Sequence, residues 1–214
     1  MYSSYCNKLI INFIYQSMTN QTKWSIDQAH SEISFRVKHL MIANVKGSFK
    51  TFDASIYSEA RDFTTVEIDL WIDAASISTG DVKRDEHLRG ADFLDTQNHK
   101  QISFTASTIE KSGKNGNHEM WGGLTIKGVT KNVQLFVEFG GIINDPWGNE
   151  KAGFTVTGKI NRSDWGLVWN ASIEKSGLMV SDEVTILCEI ELINAGQKDL
   201  TMELKNSADK AVVK

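Results

Sequence analysis

The feature that most constrains how this chain folds is a strict alternation of apolar and polar residues. From Val66 to Asp73 every second residue is aliphatic. The same pattern returns in further segments, which are 33–37, 102–106, 120–126, 133–139, 154–160 and 184–192. A period of two places successive side chains on opposite faces of a β-strand. The sequence therefore predicts an all-β fold of about eight strands, each with one apolar face.

The turns between these segments indicate how the strands pair. Residues 112–116 read SGKNG and residues 145–149 read DPWGN, and both are typical of hairpin loops. Hairpin-linked strands are antiparallel. Such a sheet buries its apolar face either in a sandwich or in a closed barrel, and long strands with short turns favour the barrel. Eight strands enclose room for side chains or for one small ligand.

Three segments interrupt the alternation. Residues 79–93 predict a helix that Thr79 or Asp81 would cap and Gly90 would end. Residues 39–42 predict a single helical turn. The apolar parity reverses near residues 50–51, which predicts a β-bulge there. The expected architecture is thus an eight-stranded antiparallel barrel with one or two short helices.

Composition and charge exclude several classes of protein. The chain has 214 residues, enough for one domain with a sizeable core. A net charge of −4 and a pI near 5.7 give no overall field for nucleic acid or for an anionic membrane surface. No apolar run is long enough to span a bilayer, so a membrane-spanning protein is not expected.

The two ends of the chain are expected to lie outside the barrel. We predict a disordered N-terminal extension over residues 1–22, a barrel domain over 23–194 and a polar tail over 195–214. An apolar run at residues 8–15 lacks the cleavage site of a signal peptide. We therefore expect a cytoplasmic location, or a periplasmic one if residues 1–17 act as a signal.

Several motifs in order give the chain a family resemblance. They are WSIDQAHSEISFRVKHL at 24–40, VKGSF at 45–49, KRDEHLRGADFLD at 83–95, ISFT at 102–105, GGLTIKGVTKNV at 122–133, DPWG at 145–148, NRSDWG at 161–166 and SDEVTI at 181–186. In these motifs the chain resembles the YceI-like family of polyisoprenoid-binding proteins. One departure is His99-Lys100-Gln101, where many members carry a proline.

The resemblance implies a lipocalin-like barrel with a long apolar cavity. The implied ligand and partner is an isoprenoid lipid, such as a polyprenol, its phosphate or a quinone-like lipid, bound without enzymatic chemistry and without cofactor or metal. It also implies a bacterial, stress-related protein, and a homodimer is a candidate assembly. The residues expected to line the cavity are Phe35, Val37, Leu40, Met41, Val45, Phe49, Ile68, Leu70, Ile72, Leu88, Phe93, Phe104, Leu124, Ile126, Val137, Phe139 and Phe154.

Four polar residues are candidates for the mouth of this cavity: His39, Arg84, Asp85 and His87. Arg84 and His87 are three residues apart and share one face of the predicted helix, where they could receive a lipid hydroxyl or phosphate. The alternative is a structural network in which Asp85 pairs with Arg89 and Arg84 bonds a neighbouring loop. No metal-binding or nucleophile motif occurs, so no catalytic residue is assigned.

Two other functions remain open from the sequence. The first is an interaction module with a filled core, whose docking patch would use apolar residues at the otherwise polar parity: Ile109, Phe136, Leu187 and Ile193. The second is an enzyme acting on a small apolar substrate through His39, His87 or Asp85. A hollow interior would favour lipid binding over the filled core, because a bound lipid needs apolar walls and free volume.

Overall fold

Antiparallel strands make up nearly all of the structure, a computed structural model that describes residues 21–111, 117–173 and 177–197. The predicted hairpin loop at 112–116 lies outside the described residues. One α-helix, α1, spans Val82–Arg89, and 3₁₀ turns span Ala74–Ser76 and Arg162–Trp165. The strands are β1 Gln21–Ile26, β2 Glu32–His39, β3 Ala43–Phe49, β4 Phe52–Glu59, β5 Asp62–Asp73, β6 Ile77–Ser78, β7 Gln101–Lys111, β8 Asn117–Ile126, β9 Val129–Asn144, β10 Glu150–Asn161, β11 Ser172–Ile173, β12 Gly177–Leu178 and β13 Val180–Gln197.

The main sheet closes on itself. Its hydrogen-bonded order runs β1-β4-β5-β7-β8-β9-β10-β13, and β1 pairs in turn with β13. All of these pairings are antiparallel. The predicted eight-stranded antiparallel barrel is thus confirmed, and the sandwich alternative is excluded.

Two of the barrel strands are interrupted. β13 pairs with β1 near its carboxyl end and with β2 near its amino end, so β1 and β2 follow one another along the same neighbour. Trp24 pairs with Ile56 of β4, and Ile33 pairs with Phe49 of β3. These two ladders form one long hairpin with a break in each arm. The barrel wall therefore continues past β1 and β4 into β2 and β3.

The predicted bulge at Lys50 and Thr51 is a break between two strands. The amides of both residues donate to Ser76 Oγ at 3.1 Å, instead of pairing across a ladder. The chain re-enters the sheet at Phe52, which is buried, and this accounts for the reversed parity. The expectation of a bulge within one continuous strand was wrong, although the change occurs at the predicted residues.

The predicted helix forms, and the predicted helical turn does not. Helix α1 starts after Asp81, whose carboxylate accepts a hydrogen bond of 2.9 Å from the Arg84 amide, and it ends at Gly90. By contrast, residues 40–42 close the hairpin between β2 and β3. Leu40 and Met41 have φ values of 52° and 60°, the left-handed region that suits the twist of a tight hairpin. Residues 40–42 therefore form a hairpin turn with a left-handed backbone, and the prediction of a helical turn was wrong.

One inward glycine shows how tightly part of the interior packs. Gly122 on β8 pairs with Ala106 of β7, and the ring of Phe104 lies over its Cα. A Cβ atom at residue 122 would overlap that ring. The large side chain on one strand thus fills the space that the glycine leaves on the next.

A cluster of charged side chains fixes the corner between β1 and β2. Lys151 on β10 places its Nζ 2.8 Å from Asp27 Oδ2 and 2.6 Å from Glu191 Oε1 on β13. Asp27 also accepts hydrogen bonds from the Ala29 amide and from His30 Nδ1, both at 3.0 Å. The Lys151 ammonium, followed by these other donors, holds the pKa of the Asp27 carboxyl well below its usual range. The cluster therefore stabilises the corner through the ionised carboxylate.

We expect Asp27→Asn to lower the free energy of unfolding by about 1 kcal/mol at pH 7, since a partly screened charge pair is lost. The folded-state pKa of Asp27 is depressed, so its contribution is present above the unfolded-state value near 4 and fades as the pH falls through the folded value. The difference in the free energy of unfolding between the parent protein and Asp27→Asn should shrink progressively below about pH 4. Urea unfolding at a series of pH values measures it.

The control for this prediction is the same substitution in a Lys151→Met background. There, Asp27→Asn should have little further effect, because its main partner is gone. An Asp27→Asn deficit of equal size at pH 7 and pH 3 would contradict the assigned role of the carboxylate.

Candidate ligand-binding cavity

The barrel encloses a cavity of about 290 Å³ between its inner faces. A water molecule needs about 10–15 Å³ of such volume, so the space corresponds to on the order of twenty water-sized positions. Nearly all of the wall is aliphatic or aromatic, and it is contributed by the barrel strands together with β2, β3, β6 and α1. The interior is therefore partly hollow and apolar.

Most of the side chains that the sequence assigned to a cavity wall lie on that wall. They are Phe35, Val37, Phe49, Ile68, Leu70, Ile72, Leu88, Phe93, Phe104, Leu124, Ile126, Val137 and Phe154. Four others lie elsewhere. Leu40 and Met41 are in the hairpin turn, Val45 is opposite Val37 outside the lining, and Phe139 packs in an aromatic cluster.

The wall residues differ in burial in a way that locates the free volume. Val66 and Phe104 are almost completely buried. Val156, Ile186 and Phe35 also line the cavity yet are only half-buried. Each lies on a strand that is hydrogen-bonded to a neighbour on both sides, and each alternates with outward side chains. Their remaining exposure therefore faces the cavity. The free space lies against β10, β13 and β2.

Aromatic rings close one end of the barrel. The Phe63 ring lies 5.0 Å from that of Trp24 and 4.8 Å from that of Phe154, measured between centroids. Phe139 stacks on Phe154 at 5.2 Å. The Trp24 indole is fully buried and donates a 2.8 Å hydrogen bond to Ser58 Oγ. Aromatic side chains therefore fill this end of the barrel.

The other end is covered by α1 and the segments that follow it. Leu88 of the helix, with Phe93 and Leu94 just beyond, contributes to the lining. Trp165 is also buried, and its indole donates to the Leu124 carbonyl at 3.1 Å. Leu88 and the segment that follows the helix therefore form a cap over the cavity.

Two of the candidate mouth residues hold the loop before the helix. Asp85 is buried and accepts hydrogen bonds from the Thr79 amide at 2.8 Å and the Thr79 hydroxyl at 2.6 Å. Arg84 donates to the same hydroxyl at 2.7 Å and to the Thr79 carbonyl at 3.0 Å. Arg89 bonds the carbonyls of Ala75 and Ile77 and not Asp85. Arg84 and Asp85 thus meet around Thr79, and neither side chain lines the cavity.

The two candidate histidines lie apart from each other. His87 packs edge-on against Phe93 and Trp169, and its Nε2 is 3.1 Å from Asp92 Oδ2. His39 ends β2, where it pairs with Ala43 and with Val180. Neither lines the cavity, so the wall carries no histidine–carboxylate pair among the described residues.

A charged residue that the sequence did not assign to the cavity lies on its wall. Arg162 is only 8% exposed, and its Nε donates to the Ser181 carbonyl at 3.0 Å. Its Nη1 donates to the carbonyls of Leu167 and Trp169, the latter at 2.9 Å. Burial lowers the pKa of the guanidinium, and Asp182 opposes that shift. The sequence motif NRSDWG at 161–166 gave no indication that its arginine lies on the wall of the barrel interior.

The same wall carries one free thiol. Cys188 on β13 pairs with Ile33 and Val156 and lines the cavity. Burial raises the pKa of this thiol to about 12, so it is protonated and unreactive at neutral pH. It therefore behaves as a small apolar wall residue.

A cluster of possible metal ligands and a set of apolar surface residues bear on the alternative functions. Asp27, His30 and Glu191 are close enough to hold a metal ion, but the Lys151 ammonium lies among their oxygens.

On the outer surface, Phe136 and Leu187 are exposed, whereas Ile109 is 7% exposed. A register shift between Ala106 and Ile109 turns Ile109 inward, so the prediction that it belongs to an outer patch was wrong. Ile193 is half-buried.

A closed antiparallel barrel around one apolar cavity is the architecture of the lipocalin-like binding proteins. Comparison with known proteins narrows this class. The profile of the YceI-like domain matches residues 24–192, and the chain belongs to that family. It is 37% identical over 164 residues to a UPF0312 protein of Staphylococcus aureus strain MSSA476, covering 76% of this chain and 92% of that protein.

Solved structures of related bacterial proteins have the same fold. BcnA of Burkholderia cenocepacia is 26% identical with a TM-score of 0.67, over 78% of this chain and 98% of that one. The YceI protein of Campylobacter jejuni is 35% identical with a TM-score of 0.60, over 81% of this chain and 96% of that one. The predicted family and barrel are therefore confirmed. Within the described part of the chain, no helix has the length and apolar character needed to cross a bilayer.

Proposed function

We propose that this protein binds a long isoprenoid lipid in the barrel cavity and sequesters or transports it without changing it chemically. The observation that carries the proposal is the apolar cavity inside a closed barrel, with half-buried side chains facing the free space. A methyl-branched hydrocarbon chain needs such walls and few hydrogen bonds. The family resemblance supports the isoprenoid as the particular chain.

The energetics of burial favour a long chain over a small apolar molecule. Each methylene group that leaves water contributes about 0.8 kcal/mol, before the cost of ordering the chain. A ligand with about fifteen buried carbons would thus gain on the order of 10 kcal/mol in gross terms. The wall is held by strand ladders on both sides, so little further ordering of the protein is needed.

The lining argues against chemistry on the ligand. Among the described wall residues, Arg162 and Cys188 are the ionisable ones. Arg162 is tied to three backbone carbonyls, and the Cys188 thiol is protonated. Neither has a partner with which to transfer a proton, and general acid–base catalysis needs such a group within hydrogen-bond reach of the reacting atoms.

The test is organic extraction of the purified full-length protein followed by mass spectrometry. We expect an isoprenoid in near-equimolar amount, or uptake of an added polyprenol by protein that was first stripped with solvent. A saturated fatty alcohol of similar length serves as the competitor, because it separates isoprenoid selectivity from general apolar binding. Protein that extracts clean and takes up neither lipid would overturn the proposal in favour of an interaction module.

A further inference from the structure

A strongly cationic segment stands out in a chain whose net charge is −4. No aspartate or glutamate occurs between Ile33 and Phe52, whereas Arg36, Lys38, Lys46 and Lys50 all lie there and all are exposed. This segment comprises β2 without its first residue, the turn and β3. The overall charge averages this local excess away, so composition alone did not reveal it.

The cations of this hairpin are not neutralised within the protein. Arg36 lies directly opposite Lys46 across the β2–β3 ladder, and like charges in such a pair destabilise a sheet. Among the described residues, no carboxylate lies within 4 Å of Arg36, Lys38 or Lys46.

The neighbouring acids on β13 are already engaged. Glu183 bridges Lys159 at 3.0 Å, and Asp182 accepts hydrogen bonds from the amide and hydroxyl of Ser163. The positive charge of the hairpin therefore faces solvent.

The turn at the end of the same hairpin is apolar and strained. Met41 is 55% exposed and Ile42 is 85% exposed. Leu40 and Met41 are held in the left-handed region, which residues with a Cβ adopt only at a cost. Three local rules are thus broken together: like charges are paired, apolar side chains face water, and bulky residues take a conformation that suits glycine or asparagine. Such conflicts concentrate at functional sites.

The hairpin also carries a free sheet edge. Only Ser48 and Phe49 of β3 pair with β6 in the described structure, so residues 43–47 leave an unpaired edge. Behind that edge, Phe35 and Val37 of β2 line the cavity and are half-buried. A chain that enters or leaves the cavity there would pass beside the turn.

From these observations we infer that residues 36–46 dock on an anionic lipid bilayer, with Met41 and Ile42 entering the interface and the flanking cations facing the headgroups. Apolar residues beside a cluster of cations match the two contributions that hold a protein segment on such a surface. The inference rests on the proposed function, since it supplies the surface from which an isoprenoid reaches the cavity.

The first test is flotation of the full-length protein with vesicles of phosphatidylcholine alone or with about 30% phosphatidylglycerol. We expect binding to the anionic vesicles that weakens as salt is raised. Lys38→Ser/Lys46→Ser should weaken it on the order of 25-fold, at about fivefold for each cation. Lys23→Ser/Lys100→Ser removes the same charge from exposed positions elsewhere and should change binding by less than about twofold.

A second pair of variants tests the apolar turn. Met41→Asn/Ile42→Ser should weaken vesicle binding at least about tenfold, since two inserted side chains are lost. Asparagine suits the left-handed backbone at residue 41, so this variant should fold at least as well as the parent protein. Ile143→Ser, an exposed position on β9 outside the hairpin, is the matched control and should bind vesicles normally.

The outcomes separate this inference from the proposed function. Protein that loads polyprenol from a detergent dispersion but does not float with anionic vesicles overturns the docking site alone. Protein that floats and yet extracts free of lipid supports the docking site and removes the carrier function. Equal losses in the hairpin variants and their controls, or a change of oligomeric state confined to the Met41→Asn/Ile42→Ser variant, would also overturn it.

Discussion

Val156→Trp is expected to weaken the binding of a long apolar chain about a hundredfold while leaving the barrel folded. Val156 lies on β10 between Val137 and Cys188, and its half-buried side chain faces the free volume. Tryptophan has roughly seven more non-hydrogen atoms than valine. They would fill about a third of the cavity, which has on the order of twenty water-sized positions. A ligand that loses room for about four methylene groups loses about 3 kcal/mol, which is about a hundredfold in affinity.

The matched control is the neighbouring Thr157→Trp. Thr157 lies on the outer face of the same strand, between Phe136 and Leu187 in the paired rows. An indole there leaves the cavity unchanged, so uptake of a fluorescent polyprenol should match that of the parent protein. Thermal unfolding checks that both variants remain folded. Undiminished uptake by Val156→Trp, or an equal loss in both variants, would contradict binding inside the barrel.

The barrel could be predicted from the sequence because its main determinant is local. The alternation from Val66 to Ile72 gives one buried face to β5, and the cap at Asp81 and the break at Gly90 define α1. The errors occur where backbone geometry departs from periodicity. Nothing in the side chains of Leu40 and Met41 indicates a left-handed turn, because such residues adopt it only when the surrounding hairpin requires it.

The cavity could be predicted only as a set of wall residues. Alternation assigns Phe35 and Val156 to the inner face, but it does not distinguish a packed core from a hollow one, since both need apolar side chains. Whether space remains depends on barrel closure and on how neighbours such as Phe104 and Gly122 fill one another's volume. Arg162 could not be placed on the wall at all, because its partners are backbone carbonyls, which leave no signal in the side-chain sequence.

Arg162→Met is expected to destabilise the protein more than any surface substitution. The guanidinium joins the end of β10 to the loop at Leu167 and Trp169 and to Ser181 at the start of β13. Methionine keeps an apolar stem against the cavity and removes every donor. Charge-assisted hydrogen bonds contribute about 1.5–3 kcal/mol each, and water will satisfy part of what is lost, so we expect a loss of about 3–5 kcal/mol. For a chain of this length that corresponds to a melting temperature lower by about 10 °C.

Two further variants define what Arg162 contributes. Arg162→Lys keeps the charge but not the planar fork that reaches several carbonyls, so its stability should fall between those of Arg162→Met and the parent protein. Lys159→Met, three residues earlier on β10 but exposed and paired with Glu183, should cost less than about 0.5 kcal/mol. Urea unfolding monitored by tryptophan fluorescence measures all three. An Arg162→Met deficit no larger than that of Lys159→Met would mean that the carbonyls of Leu167 and Trp169 find other donors, and that this side chain does not hold the loop.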